Sequence, residues 1–374
     1  MKKTFLNKVL AGVMALCLAG TYGNIIDTAV FAADDSIPAL TMENPESAER
    51  IEFIGISASL EGIIAMNFFT MLPENLVKSD TAEVHFQHSG KLDVVSVKEG
   101  EYDPMHDWYK FTCYISAKEM NDDITMSVYD GDVKQLLGGI NGIGFVNNEF
   151  TYTAGTYFSG LKEMQSDPKL ISLADAILDY GYFAQQLFNY NTGWLEEQTL
   201  NEDVSAEELQ NYKIEYNNLP EGVTLQMSLL LKSETSIRLY FSGDCDKLGS
   251  SLVVDGKEQE LKKAGNNMKY VEISNIAAGN LDKVYTVAVN ENCEIKVSAL
   301  SYAYAVLNSD KTDEANKTAM KALYLYSKAA DAYLMKEEDK TPESSEEPEQ
   351  DSENDSTSNP KLKISIKIDG KIKF

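Results

Sequence analysis

Three histidines, four cysteines and 59 acidic residues set the chemistry open to this chain of 374 residues. His85 and His88 lie three apart in AEVHFQHSGKLDVVSV, a stretch with strand alternation. That spacing sends the two rings to opposite faces. His106 belongs to a different loop, so no metal site is expected. A Ser-His-Asp or Cys-His centre has little to draw on. Neither a nucleophile elbow nor a zinc-protease helix is present in the sequence. Paired carboxylates are harder to set aside, because a glycosidase needs only two. Glu61 precedes IIAMNF and Glu234 precedes SIRLYF, at places that match. Internal repetition explains the match more simply, with a structural bond at each. Asp130-Gly-Asp132 and Asp244-Cys-Asp246 lack the remaining spaced ligands of a calcium loop and read as turns. Gly138 to Gly144 has no Lys-Ser/Thr and no long helix directly behind it, which removes phosphate binding. The expectation is a chain with no catalytic residue, no metal and no cofactor.

Aromatic residues offer binding chemistry instead. There are 20 tyrosines and two tryptophans. Exposed tyrosine and tryptophan hold sugars and proteins in many binding modules. Tyr102, His106 and Trp108 cluster near one loop and form the candidate binding surface, since loops carry function more often than cores do. The aromatics of the helices fall on a buried stripe and read as core.

Charge narrows the partners. The chain carries 33 Lys+Arg against 59 Asp+Glu, a formal net charge of −26. Phosphate neutralisation supplies most nucleic-acid affinity, so nucleic acid is excluded as a partner. Lys2, Lys3 and Lys8 precede the short apolar run Val9 to Gly20, the pattern of an export signal too short to anchor. Val30-Phe31-Ala32 suits cleavage after Ala32. Leu16 stands before Cys17 where a lipoprotein signal needs a small residue. The expected location is therefore secreted, extracellular or cell-wall associated, with no transmembrane anchor. Export leaves Cys113, Cys245 and Cys293. An odd number is no disulfide scaffold, although a Cys245–Cys293 bridge stays open.

The elements that must position these residues come in two series. Residues 1–32 are the signal and 33–50 a flexible leader. Strand patterns run from IEFIGISASL through WYKFTCYIS, ITMSVY and EFTYT, with a hairpin turn at Ser89-Gly90. A short helix at 156–165 precedes a long one, Leu170 to Tyr190, opened by Asp167-Pro168. Gly181 marks a close helix contact. Residues 51–193 make the first module. A connection at 194–222 leads to the second, 223–335, with strands such as VTLQMSLLL and SIRLYFS, a hairpin at Asp255-Gly256, and helices at 298–308 and 313–334. The long helices echo one another, with Tyr180 matched by Tyr326. Residues 336–360 are an acidic disordered linker. In 361–374, KLKISIKIDGKIKF, residues Leu362, Ile364, Ile366 and Ile368 alternate with polar residues, and Asp369-Gly370 suits a hairpin. This basic tail is expected first to dock on the acidic body of its own chain, and is also a candidate for β-augmentation or for non-covalent retention on anionic wall polymer through its lysines.

ILDYGYFAQQLFNYNT, LPEGV, LLLKSETSIRLYF, SALSYAYAVLN and ALYLYSKAADAYL together resemble an uncharacterised duplicated module of secreted and surface proteins from clostridial Gram-positive gut bacteria. The resemblance covers roughly 51–334. It implies an accessory region of extracellular proteins, some concerned with adhesion or polysaccharides, and brings no catalytic motif. The expected fold class is α+β, in two duplicated modules. Each would be an antiparallel β-sheet or small β-sandwich followed by a short and a long helix. The expected function is a secreted, non-catalytic binding or adhesion protein whose partner is an extracellular protein or glycan. Its rivals are an accessory carbohydrate-binding protein and a cryptic two-carboxylate hydrolase.

Overall fold

The structure, a computed structural model, describes residues 14–17, 51–60, 63–139, 148–265, 267–334 and three two-residue strands at 363–364, 367–368 and 371–372. The acidic linker, the leader, residues 140–147, Glu61, Leu362 and Ile366 lie outside the described residues. The fold is α+β, with mostly antiparallel sheets and few helices. It divides into two units. Unit 1 comprises residues 1–201 together with Leu231–Thr235 and Asn275–Ala278, and unit 2 takes the remainder.

In unit 1 the strands are β1 (Ile51–Ser59), β2 (Ile64–Met71), β3 (Ala82–His88), β4 (Lys91–Ser96), β5 (Glu101–Asp103), β6 (Trp108–Ile115), β7 (Ile124–Asp130) and β8 (Phe150–Tyr152). One sheet has the order β1-β2-β6-β5 and the other β8-β7-β3-β4. Two short segments, Met14–Cys17 and Leu137–Gly139, pair in parallel along β1. Strand alternation explains β3: Ala82, Val84, Phe86 and His88 are buried, whereas Gln87 is exposed. Ser89 (φ 50°) and Gly90 (φ 71°) make the left-handed two-residue turn that a twisted hairpin favours. Between the two sheets Phe68 meets Phe86 at 5.0 Å, and Phe53 stacks on Phe150 at 4.0 Å between ring centroids. Each such burial contributes roughly 2–3 kcal/mol.

The helices of unit 1 are α1 (Glu74–Lys78), α2 (Ala154–Met164) and α3 (Pro168–Phe188). Proline suits a helix entrance, and α1 forms directly behind Pro73. The Asp167 side chain accepts the Lys169 N–H at 2.9 Å and caps α3, with Pro168 in the first turn. Asn189 closes α3 in the left-handed conformation (φ 48°). A close approach at Gly181 is present, but to the short 3-10 turn Ala117–Glu119 and not to a second helix. A Cβ added there would lie 2.5 Å from the Met120 sulfur and 3.3 Å from the Ala117 carbonyl oxygen.

In unit 2 the strands are β9 (Val223–Leu231), β10 (Thr235–Gly243), β11 (Ser251–Val254), β12 (Lys257–Glu260), β13 (Lys262–Lys263), β14 (Met268–Ile273), β15 (Tyr285–Asn290) and β16 (Cys293–Val297). Their sheet orders are β9-β10-β14-β13 and β16-β15-β11-β12. Helices α4 (Ala299–Leu307) and α5 (Glu314–Leu334) follow. The connection 194–222 is more ordered than its acidic composition suggests. It holds a 3-10 turn at Glu207–Tyr212 with Leu209 buried, and a strand Glu215–Tyr216 on β16. Cys113, Cys245 and Cys293 are all free and buried, so no Cys245–Cys293 bridge forms. Among the described residues no helix is long and apolar enough to cross a membrane.

Candidate functional site

The β5–β6 hairpin carries the aromatic cluster read from the sequence. Pairing of Tyr102 with Tyr109 and of Asp103 with Trp108 fixes which face each side chain takes. His106 stacks on Trp108 at 4.4 Å, and Trp108 packs on Phe69 at 5.5 Å. Tyr102 is instead grouped with Tyr109, at 4.9 Å. The three candidate residues therefore divide between the two faces of the hairpin. Trp108 is 9% exposed and works as a packing residue under His106, while Tyr102 is half exposed. The His106 Nδ1 lies 2.6 Å from Asp103, and this hydrogen bond first of all holds the Asp103 carboxyl below its ordinary range. The Tyr102 hydroxyl donates to Asp107 at 3.0 Å, which raises the Tyr102 phenol. The tip is a closed set of polar bonds around exposed Met105.

The other sequence candidates fall elsewhere. His85 stacks on Tyr129 at 4.5 Å, on the face opposite buried His88. Asp130 accepts hydrogen bonds from Ser79 and Thr81, each at 2.6 Å, which is turn chemistry. Asp244 pairs with Lys247 at 3.0 Å. Glu234 forms an isolated bridge with Ile63. In the tail, Ile364 pairs in parallel with Met227 of β9, and Ile368 pairs with Lys371 across Asp369-Gly370.

Local sequence pattern does not announce a second candidate site. An open polar cleft of about 640 Å³ lies in unit 1, walled by Gln87, Ser89, Asp122, Thr125, Tyr190 and Asn191. Three turns build it. The β3–β4 turn delivers Ser89, the segment between the 3-10 turn and β7 delivers Asp122, and the chain leaving α3 delivers Tyr190 and Asn191. Asn191, like Asn189, is left-handed (φ 49°), which short side chains with a local polar partner tolerate. Asp122 is the hub. It accepts hydrogen bonds from the Ser89 hydroxyl at 2.7 Å, from the Asn191 amide at 3.1 Å and from the Tyr190 hydroxyl. Burial and then that bond to Asp122 push the Tyr190 phenol up to about 12, so it remains a donor at neutral pH. The Lys118 ammonium lies 4.9 Å from the centre of the Tyr190 ring. Asp123 and Glu149 add acidic groups to the rim. Hydroxyls, amides and carboxylates in an open groove suit a polyhydroxylated ligand better than an apolar one. No protein-family model and no curated protein matches the sequence.

Proposed function

We propose that the chain is a secreted, non-catalytic binding protein that takes a glycan in the unit 1 cleft. The Asp122 hub carries this reading. A carboxylate has about four acceptor positions, and Asp122 is held in place by three donors. The acceptor position left on Asp122 suits one sugar hydroxyl, and Gln87 and Thr125 in the same cleft offer polar groups for its neighbour. The sequence resemblance to surface modules, some concerned with polysaccharides, supports the same ligand class. The export signal supports an extracellular or wall-associated location, which sequencing the N-terminus of the exported protein would check.

The two units are proposed to be duplicated modules, each a β-sandwich followed by a short and a long helix. Two observations support this. Every strand order in unit 1 recurs in unit 2 with the strand labels advanced by eight. The helices recur too, with 21 residues in both α3 and α5.

A glycan microarray identifies ligands, and calorimetric titration of the hits tests the site. Asp122→Asn and Asn191→Ala are each expected to weaken binding at least ~10-fold, the scale of about 1.4 kcal/mol for a hydrogen bond to a charged group. Binding that is unchanged in both variants would remove the cleft as the site. Release of new reducing ends from a bound polysaccharide would replace the binding reading with hydrolysis.

A further inference from the structure

His88 is the last core-facing residue of β3 and is 3% exposed. Its Nε2 lies 2.8 Å from Asp93 Oδ2 on β4, and its Nδ1 is buried without a hydrogen-bond partner. An orphaned polar atom in the interior costs about 1–3 kcal/mol and asks for an explanation. The sulfur of Cys113 comes from β6 in the facing sheet, on the same core side as Phe111 and Ile115. One donor atom from each of His88, Asp93 and Cys113 lies within 4.8 Å of the others. The neighbouring Glu119 is already engaged, accepting from the Ser116 N–H at 2.8 Å and from Lys91 at 2.9 Å.

Unit 2 shows that the fold does not demand these residues. His88 pairs with Lys91 across Ser89-Gly90, just as Val254 pairs with Lys257 across Asp255-Gly256. Asp93 pairs with Phe86, as Gln259 pairs with Leu252. Cys113 pairs with Met66 of IIAMNF, and Val271 pairs with Leu239, the corresponding residue of SIRLYF. The counterparts of the trio are therefore Val254, Gln259 and Val271, and both valines are buried. Unit 1 places an imidazole and a thiol where unit 2 packs two valines.

We propose that His88, Asp93 and Cys113 form a binding site for a divalent transition-metal ion of the zinc type. One sulfur, one imidazole nitrogen and one carboxylate oxygen are a borderline-soft donor set, which suits zinc and disfavours calcium or magnesium. His88 also lines the polar cleft, which gives the ion a path inward and leaves a fourth position to water or a ligand.

The test uses the full chain with Cys17, Cys245 and Cys293 replaced by serine, so that Cys113 is the sole thiol. Titrated with Co²⁺, it is expected to bind about one ion per chain, with a thiolate-to-cobalt charge-transfer band that Zn²⁺ bleaches. His88→Gln and Asp93→Asn should each lower Co²⁺ affinity at least ~10-fold, and Cys113→Ser should abolish the band while the circular dichroism stays native. Should the triple variant fail to fold, the same titration is made on the native chain and on Cys113→Ser. A folded chain that gives no band and no Zn²⁺-dependent rise in melting temperature overturns the proposal. So does a band that survives Cys113→Ser.

Discussion

Glu119 is 5% exposed, and its burial alone would oppose ionisation. The Ser116 N–H and the Lys91 ammonium outweigh that and hold its carboxyl below the ordinary glutamate range. A carboxyl lowered on folding contributes stability that is fully present above its unfolded pKa. That stability is lost as pH falls through the folded value. Glu119→Gln should therefore cost about 1 kcal/mol at neutral pH, with the gap to wild type closing in acid below about pH 4. Urea denaturation across a pH series reads this. A gap independent of pH would show that ionisation of Glu119 adds no net stability. The aromatic hairpin gives a second contrast at this scale. Trp108 is clamped between His106 and Phe69, so Trp108→Ala should destabilise unit 1 by about 3 kcal/mol. Tyr102 loses an exposed bond to Asp107 and a half-exposed ring contact with Tyr109, and Tyr102→Ala should cost no more than about 1 kcal/mol. Similar losses for the two in thermal melts would put Tyr102 into the core.

At the scale of elements, the turns hold the least tolerant positions. Gly243 ends β10 at φ +95°, and a Cβ there would stand 2.1 Å from the Gly222 carbonyl oxygen. Both objections lie in backbone, which cannot step aside as a side chain does. Gly243→Ala should destabilise unit 2 by about 3 kcal/mol, whereas Gly256→Ala, at φ +77° in open space, should cost about 1 kcal/mol. Equal melting temperatures for the two variants would mean that the Gly222 contact relaxes. The same physics explains what was legible in advance. Strands such as β3 and helices such as α3 carry their period in consecutive residues, and Asp167-Pro168 and Ser89-Gly90 announce their own ends. The helix α1 and the turn Glu207–Tyr212 are short, so no period could accumulate. The buried side of Glu207–Tyr212 is a single residue, Leu209.

At the scale of the whole chain, sites are assembled from distant positions, and local pattern says nothing about them. Asp122 meets Asn191 across 69 residues and Ser89 across 33, through turns whose left-handed residues set the angle. His88, Asp93 and Cys113 come from three strands in two sheets, and the β3–β4 register together with the packing of one sheet on the other brings them together. Unit 1 is itself discontinuous, because Leu231–Thr235 and Asn275–Ala278 belong to it. The Ile64 N–H donates to the Ser233 carbonyl at 3.1 Å, and the Ala278 N–H donates to the Leu60 carbonyl at 3.4 Å. A fragment covering 51–201 retains strands β1 to β8 of unit 1 and, relative to a chain covering 51–334, loses these two bonds. It should fold with stability lower by about 2 kcal/mol, at about 1 kcal/mol for each bond. Hydrogen exchange localises the loss. The Ile64 amide should exchange rapidly in the fragment, while amides in the interior of β2, between β1 and β6, stay protected. A chain covering 51–334 should restore the protection of Ile64. Equal protection in the fragment and the longer chain would show that 51–201 is sufficient by itself.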